Sequence, residues 1–338
     1  MSIFWVFYAL IVSVSAPIVR KNQSMDHSET FLDRAVGCLV GLAVGDAVGT
    51  TVEFLPRGSY PKLTDMIGGG PFKLDAGQWT DDTSMALCLA ESLIAHHDLN
   101  EHDLMSRFDR WVGEGYNSST GSCFDIGQVT LRAISQFKRT GNPIAGPTKA
   151  SDGGNGSVMR LAPVALSWWR DPQQAEVIAR RQSATTHGSQ ECLDGCALLS
   201  RVLCSGIAGS GVRSIYSDDE SWSQSIRSIG LGSWRGKLEP EISSTGYVVH
   251  TLEAAFWAFE QSTCFEDAII IAVNLGHDSD TIGAVVGQIA GAVWGLSGIP
   301  TQWVERLYDT QRIQDLGRML FETGVQRLPF ELSGVQEH

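Results

Sequence analysis

The sequence lacks the cysteine pattern of a disulfide-linked or zinc-binding protein. Its seven cysteines are an odd number, they are scattered from Cys38 to Cys264, and no two of them form a Cys-x-x-Cys pair. This pattern is typical of reduced thiols in a protein core rather than of a disulfide framework or a zinc site. We therefore expect the protein to work in a reducing compartment, the cytoplasm.

Basic residues are also few. Lys and Arg number 25 against 38 Asp and Glu, which gives a net charge of -13. This excess of negative charge argues against a general nucleic-acid-binding protein, although it leaves a local basic patch open. An anionic ligand would need help from metal ions and from backbone N–H groups in glycine-rich turns, and the 36 glycines make such turns plentiful.

The N-terminal segment has no hydrophobic run long enough to span a bilayer. The apolar stretch from Ile3 to Ala16 is shorter than the ~20 residues that a spanning helix needs, so we expect no stable membrane insertion. No Lys or Arg precedes this stretch, which disfavours a secretory signal peptide. The polar segment from Met25 is typical of a cytosolic start, so residues 1–24 are interpreted as an over-extended reading frame or a dispensable extension. An export signal and a membrane-interface or partner-binding arm remain as alternatives.

Strand-like alternation is nearly absent, whereas apolar residues recur with helical spacing along most of the chain. The chain has 338 residues, of which 43% are hydrophobic, and can bury a large core. Because no long linker divides it, we predict a single, monomeric all-α domain over residues 31–330, with an apolar extension at 1–30 and a tail at 331–338. The predicted helices cover residues 33–46, 83–97, 103–112, 126–138, 172–185, 191–206, 247–259, 265–275 and 282–295.

Two of these helices carry glycine at every fourth position, which places the glycines on one face. Glycine inside a helix lowers helix stability, so the close approach of another helix must compensate for it. The sequence thus predicts two tightly packed helices and leaves open whether they contact each other or other helices. The positions are Gly37, Gly41 and Gly45 in the first helix and Gly283, Gly287, Gly291 and Gly295 in the second.

Two clusters rich in Asp and Thr lie far apart in the chain, at residues 80–83 (Thr-Asp-Asp-Thr) and 278–281 (Asp-Ser-Asp-Thr). Either cluster alone is typical of a helix N-cap. A cap needs only one oxygen, however, and each cluster supplies three or more. Carboxylates held together without basic partners repel each other unless a cation neutralises them, so the two clusters predict one shared site for a hard cation such as Mg²⁺, Mn²⁺ or Ca²⁺.

Five blocks of the sequence, in order, resemble the ADP-ribosylglycohydrolase family over nearly the whole chain after about residue 31. They are residues 37–46 with Glu53, residues 79–83, residues 154–160, Thr186-His187, and residues 276–281. The segments that begin at Cys123 and Gly246 are similar to the bacterial branch that resembles dinitrogenase reductase-activating glycohydrolase. The resemblance implies an all-α, orthogonal helical bundle with two divalent cations, Mg²⁺ or Mn²⁺, in a central cleft. It also implies an enzyme that releases ADP-ribose from a modified protein side chain, expected to be arginine.

The resemblance implies roles for individual residues as well. Glu53 is expected to act as a general base or to flank the metals, and Asp125 to face the guanidinium of the departing side chain. Asp81 and Asp280 are expected to be both catalytic and metal-binding. The full expected metal set is Thr80, Asp81, Asp82, Asp278, Asp280 and Thr281.

Substrate contacts are expected from small residues in two turns and from three larger side chains. The turn at 121–123 would cradle the diphosphate with its backbone N–H groups, although such a turn alone is typical of an ordinary loop. Tyr247 would stack on adenine, although an aromatic residue at the start of an apolar helix is ordinarily part of the core. The expected contacts are Gly121, Ser122, Cys123, Asn155, Gly156, Ser157, Met159, His187 and Tyr247.

His277 departs from the family pattern, because a second glycine is common at this position. Because the expected metal ligands are present, this difference leaves the prediction of catalysis unchanged and affects only the prediction of how the substrate is recognised. Two other functions stay open: an ADP-ribose-binding or immunity-type module with little turnover, and a structural protein that reuses the fold. The four aspartates of the two clusters disfavour the structural protein, which has no need to hold carboxylates together.

Overall fold

The computed structural model describes residues 27–210 and 219–327. Within these ranges the chain is helical and contains no strand, only isolated bridges that pair Gly69 with Leu74 and Gly154 with Tyr247. The predicted all-α fold is confirmed. The predicted tail at 331–338 and most of the predicted extension at 1–30 lie outside the described residues.

The helices that were predicted from apolar spacing are all present, and four further helices, α5, α8, α12 and α13, were not predicted. The bounds are α1 (His27–Gly49), α2 (Asp81–His96), α3 (Glu101–Glu114), α4 (Gln128–Thr140), α5 (Ala162–Trp168), α6 (Pro172–Ala184), α7 (Gln190–Ile207), α8 (Gln224–Gly230), α9 (Val248–Glu260), α10 (Phe265–Val273), α11 (Ser279–Trp294), α12 (Thr301–Arg306) and α13 (Thr310–Gln326). Short 3₁₀ turns cover Thr50–Val52, Ala150–Asp152, Glu239–Glu241 and Leu296–Gly298.

The two glycine-faced helices, α1 and α11, pack against each other in antiparallel orientation. A Cβ atom added to Gly45 would lie 1.9 Å from the carbonyl oxygen of Gly283, and one added to Gly41 would lie 2.3 Å from that of Gly287. Both distances are far below van der Waals contact, so only glycine permits this approach of the two backbones. The sequence predicted the glycine faces, and the structure shows that they face each other.

This packing joins the end of α1 to the start of α11. The Ser279 hydroxyl donates a hydrogen bond to the carbonyl of Gly49 at 2.8 Å, and a Cβ atom on Gly49 would lie 2.5 Å from the Cα of Asp280. Asp46, one turn before Gly49, therefore lies near the second acidic cluster. The contact between helices thus brings together two segments that are more than two hundred residues apart in sequence.

The segment Ser28–Val52, which includes most of α1, is the one part of the described chain long and apolar enough to cross a membrane. In the fold, 94% of its apolar window is buried inside the protein. Such burial is typical of the central helix of a helical domain. All seven cysteines lie in the described ranges and are free thiols; five of them are buried, as predicted for core thiols, whereas Cys123 is half-buried and Cys264 is exposed.

Candidate metal centre and substrate cleft

Asp46, a residue of α1, caps the N-terminus of α2. Its Oδ1 accepts from the backbone amide and the hydroxyl of Thr80, both at 2.9 Å, and its Oδ2 accepts from the amide and hydroxyl of Thr83 at 3.0 and 2.6 Å. Thr80 occupies the N-cap position but makes no capping bond with its own side chain. A carboxylate at a helix N-terminus satisfies free N–H groups and interacts favourably with the helix dipole. Asp46 ends the first of the five family blocks, and its place in the sequence alone did not predict this role.

The two acidic clusters meet at this point, where the start of α2 faces the start of α11. Carboxylate oxygens of Asp81, Asp82 and Asp280 all lie within 4.8 Å of one another. Oxygens of Glu53, Asp125 and Asp280 form a second group under the same limit. Asp280 belongs to both groups, so the two groups adjoin each other.

The threonines of the clusters lie beside these groups. The hydroxyl of Thr80 is 3.3 Å from Asp280 Oδ2, and that of Thr281 donates to Asp82 Oδ2 at 3.4 Å. Asp278 belongs to neither group; its side chain accepts a hydrogen bond from the amide of Asn155 and lines the adjoining cleft.

Glu53, Asp81, Asp82 and Asp280 are buried, whereas Asp125 and Asp278 are half-buried, and several of their oxygens are unpaired. Asp82 and Asp280 are at most 2% exposed, and Asp82 Oδ1, Asp280 Oδ1 and Glu53 Oε2 have no hydrogen-bond partner. Burial, together with the charges of Asp125, Asp278 and Asp81, raises the pKa of Glu53 to about 10. Burial likewise raises the pKa of Asp125 to about 7.

The residues present fit a pair of divalent cations. The donors are carboxylate and hydroxyl oxygens, which hard cations prefer, and the unpaired buried oxygens would otherwise leave their desolvation uncompensated. Neutralisation by cations would remove the mutual repulsion, which is the second cause, after burial, of these raised pKa values. Both groups therefore can hold a metal ion.

A cleft of about 280 Å³ adjoins the acidic groups and is lined by two chemically different sets of residues, which we call its acidic end and its neutral end; the two sets meet where the side-chain amide of Asn155 donates to Asp278. One end carries the carboxylates of Glu53, Asp81, Asp125, Asp278 and Asp280. The other end carries backbone and neutral side chains, with no acidic residue. Its lining comprises Gly127, Gln128, Val129, Thr130, Gly154, Asn155, Gly156, Met159, His187 and Gly246.

His187 at the neutral end has its tautomer set by a buried arginine. Arg160, which is fully buried and has only N–H donors, donates to the Thr186 hydroxyl oxygen at 2.8 Å. The Thr186 hydroxyl lies 2.9 Å from His187 Nδ1 and can therefore give its own proton to that nitrogen. When the hydroxyl gives its proton to Nδ1, the imidazole carries its hydrogen on Nε2.

Burial, and secondly the charge of Arg160, lowers the pKa of His187 to about 3, so the ring is neutral. Gly156 packs against it: a Cβ atom there would lie 2.7 Å from His187 Cε1. A neutral ring with a hydrogen on Nε2 is a donor for an anionic or hydroxyl group in the cleft.

The predicted substrate contacts divide into three sets. Asn155, Gly156, Met159 and His187 line the cleft. Ser157 is fully buried behind the cleft and accepts from the Ser183 hydroxyl at 2.9 Å. The remaining four, which lie outside the cleft lining, are Gly121, Ser122, Cys123 and Tyr247.

Two of these four have clear local environments. The Tyr247 hydroxyl donates to Glu191 at 2.6 Å, and a Cβ atom on Gly153 would lie 3.0 Å from its ring, so Tyr247 packs against the loop before the cleft. Gly121 is exposed and has φ +75°, a conformation that favours glycine. Its carbonyl oxygen would lie 2.1 Å from a Cβ atom on Gly115, so this turn folds back on the end of α3. The binding roles of these residues stay predictions.

The structure explains why glycine suits the position of His277. His277 has φ +58°, in the left-handed region, and its side chain is exposed. Its amide donates to the carbonyl of Leu55 at 2.8 Å, and its own carbonyl accepts from the amide of Phe54 at 2.7 Å. These two bonds join the loop that carries Glu53 to the loop that carries Asp278.

Comparison with known proteins agrees with this site. The sequence profile described as ADP-ribosylglycohydrolase matches residues 27–329. The chain belongs to the ADP-ribosylglycohydrolase family. The family predicted from the five sequence blocks is confirmed, and this member is a glycohydrolase with the acidic clusters that a metal site requires.

Three ADP-ribosylglycohydrolase relatives illustrate the similarity. ADP-ribosylarginine hydrolase Tri1 of Pseudomonas putida is 42% identical over 313 residues, which cover 88% of this chain and 80% of the relative. ADP-ribosyl-[dinitrogen reductase] glycohydrolase of Rhodospirillum rubrum is 33% identical, with 81% and 90% covered. A solved structure titled ADP-ribosylglycohydrolase-related protein complex superposes with a TM-score of 0.78 at 37% identity, and covers 88% of this chain and 99% of that chain.

Proposed function

We propose that this enzyme hydrolyses the N-glycosidic bond between ADP-ribose and arginine side chains of modified proteins, releasing ADP-ribose, with Mg²⁺ or Mn²⁺ as its cations. The observation that carries the proposal is the position of Asp280, which is shared by two adjoining acidic groups at one end of a cleft. The arginine linkage is supported by the relatives, since one that is 42% identical is an ADP-ribosylarginine hydrolase.

The cations would be held by Asp81, Asp82 and Asp280 in one group and by Glu53, Asp125 and Asp280 in the other, with Thr80, Thr281 and Asp278 beside them. When bound, two such cations supply positive charge that lowers the pKa of bound water and orients ribose hydroxyls.

Side chains of the protein bind the diphosphate and the departing arginine. The diphosphate lies at the neutral end, which has no carboxylate to repel it and where His187 can donate from Nε2; Gly154 and Gly156 lack side chains and so leave room for the His187 ring. The scissile bond then lies at the acidic end, where Asp125 accepts hydrogen bonds from the guanidinium of the departing arginine.

Glu53 takes the proton from the attacking water. Burial is the first cause of the raised pKa of Glu53, and the charges of neighbouring carboxylates are the second. Glu53 can therefore act as a base only when those charges are neutralised. Carboxylates at this end also stabilise the oxocarbenium-like charge that develops as the bond breaks.

The test is the release of free ADP-ribose from an arginine-ADP-ribosylated protein, with and without Mg²⁺ or Mn²⁺, by the wild type and by Asp280→Ala. We expect cation-dependent release that the substitution abolishes. A panel of arginine-, serine- and acyl-linked substrates separates the possible linkages. Cleavage of serine-linked but not arginine-linked substrates would overturn the role of Asp125, and no release from any of them would leave only the ADP-ribose-binding module.

We also propose that residues 31–330 act as one catalytic domain, in a monomer, in the cytoplasm, and without nucleic acid as a partner. The five buried free thiols support the cytoplasmic location, and the net charge of -13 supports the absence of a nucleic-acid partner. Size-exclusion chromatography with light scattering tests the monomer, and cell fractionation tests the location.

A further inference from the structure

Three phenylalanines form a continuous apolar surface beside the acidic end of the cleft. The ring centroids of Phe54 and Phe72 are 6.3 Å apart, and those of Phe72 and Phe124 are 5.0 Å apart. Phe54 is 62% exposed, and Phe72 and Phe124 are half-buried. We call Phe54, Phe72 and Phe124 the phenylalanine rim. Contiguous exposed apolar side chains of this kind are typical of interaction sites.

The rim is attached to the carboxylates of the cleft by direct sequence neighbours. Phe54 follows Glu53, and Phe124 precedes Asp125. Phe54 also lines the cleft itself. The rim therefore adjoins the residues that carry Glu53 and Asp125.

The backbone of Phe54 has an unfavourable conformation, and its side chain is exposed. Its φ of +64° lies in the left-handed region, which is rare for a bulky residue. The hydrogen bond from its amide to His277 holds this conformation. A large apolar side chain kept exposed at such a position calls for a function rather than a contribution to stability.

The orientation of ADP-ribose in the cleft determines which part of the substrate lies next to the rim. If the diphosphate lies at the neutral end and the scissile bond at the acidic end, the arginine leaves the cleft on the acidic side. An extended arginine side chain spans about 7 Å from its Cα to its terminal nitrogens. The polypeptide that carries the arginine must then lie next to Glu53 and Asp125, and it covers Phe54 and Phe124.

We propose that the phenylalanine rim is the docking surface for the polypeptide around the modified arginine and that it binds apolar side chains that flank this arginine. The inference rests on the proposed function, because that function determines which part of the substrate leaves the cleft at the acidic end. ADP-ribosylated free arginine has no flanking side chains for the rim to bind, so the rim favours proteins over this small substrate.

The experiment compares kcat/KM for an arginine-ADP-ribosylated protein with kcat/KM for ADP-ribosylated free arginine, for the wild type, Phe54→Ala and Phe72→Ala. We expect the ratio of protein to small substrate to fall about tenfold in each variant, as for the loss of one well-buried aromatic contact. Phe72→Leu, which keeps an apolar side chain, should recover most of the ratio. Met319→Ala is the matched control, because Met319 is an exposed apolar residue, 41% exposed, on α13, a helix that does not line the cleft.

Equal losses on both substrates, or a ratio that Met319→Ala changes as much, would overturn the rim as a docking surface. If the wild type cleaves neither substrate, the proposed function fails instead. If the wild type cleaves only the protein, the affinity of each variant for free ADP-ribose serves as the reference instead. In that case the affinity for ADP-ribose must fall less in the variants than kcat/KM for the protein does.

The same variants also test whether the rim binds something other than the substrate polypeptide. A wild-type dimer that Phe72→Ala dissociates would assign the rim to a second copy of the chain and overturn the proposal. Deletion of residues 1–24 provides the corresponding comparison for the N-terminal extension. If kcat/KM for the protein rises on this deletion in the wild type but not in Phe72→Ala, the rim is covered by the chain's own extension, which also overturns the proposal.

Discussion

Asp46 Oδ2 accepts two hydrogen bonds from Thr83, one from the backbone amide at 3.0 Å and one from the hydroxyl at 2.6 Å. Asp46 belongs to α1 and Thr83 to α2, so the cap of α2 is supplied by another helix. Because α1 is also packed by its glycines onto α11, one residue links the helices that carry the two acidic clusters. The geometry of the candidate metal centre therefore depends on Asp46, even though Asp46 belongs to neither acidic group.

Asp46→Asn should lower the free energy of unfolding by about 1–3 kcal/mol, because one backbone N–H at the start of α2 would face the amide NH₂ and lose its acceptor. Urea unfolding in EDTA measures this without a contribution from metal. Asp171→Asn is the control, since Asp171 caps α6 by accepting from the Gln174 amide at 3.0 Å and Asn is an equally good N-cap. Equal changes in the two variants would contradict the special role of Asp46.

Substitution of the acidic residues should reveal which group each one serves. We expect the wild type to bind two Mn²⁺ ions, Glu53→Gln and Asp82→Asn to lose one each, and Asp280→Asn to weaken both, because Asp280 is shared. Calorimetric titration with Mn²⁺ alone measures the number of sites. A variant Asp280→Asn that loses only one Mn²⁺ would show that the two groups do not share this residue.

The contact between α1 and α11 should not tolerate a methyl group. In Gly45→Ala the new Cβ would lie 1.9 Å from the backbone oxygen of Gly283, so the helices must separate, and the free energy of unfolding should fall by about 3 kcal/mol or more. Gly113→Ala in α3 is the control, since its Cβ would meet no atom within 4 Å, and it should gain up to about 1 kcal/mol. Thermal and urea unfolding compare the two. A Gly45→Ala protein of unchanged stability would mean that the helices are further apart than described.

Most of the helices and both acidic clusters could be predicted from the sequence, because apolar spacing and Asp-Thr patterns are local properties. The partner of a glycine face could not, since a helical period shows which residues share a face but not what packs on it. The role of Asp46 was missed for the same reason: its four hydrogen bonds are to α2, which begins far along the chain. Tyr247 was predicted to stack on adenine, and its contact with Glu191 depends on a neighbour that spacing does not reveal.

One missed helix, α13, did carry a local signal. Ile313, Leu316 and Leu320 recur at helical spacing and are buried, so the same criterion that identified the other helices would have found it. The short helices α5, α8 and α12 are different. They have too few turns for a period to appear, and their packing against the longer helices determines them.

His187 should make stability depend on pH in the mildly acidic range. Its pKa is lowered from 6.5 to about 3 in the folded protein, so the unfolded chain takes up a proton first as pH falls. The stability contributed by the neutral ring is complete above pH 6.5 and is lost as pH falls from 6.5 towards 3. Between pH 7.5 and 5.5 the wild type should therefore lose roughly 1.4 kcal/mol more than His187→Gln, measured by urea unfolding at each pH. Nitrogen NMR of the imidazole supplies the independent check, since the hydrogen bond from Thr186 requires the Nε2–H tautomer. Parallel pH profiles for the two proteins, or an Nδ1–H signal, would show that the buried Arg160 does not set the state of this ring.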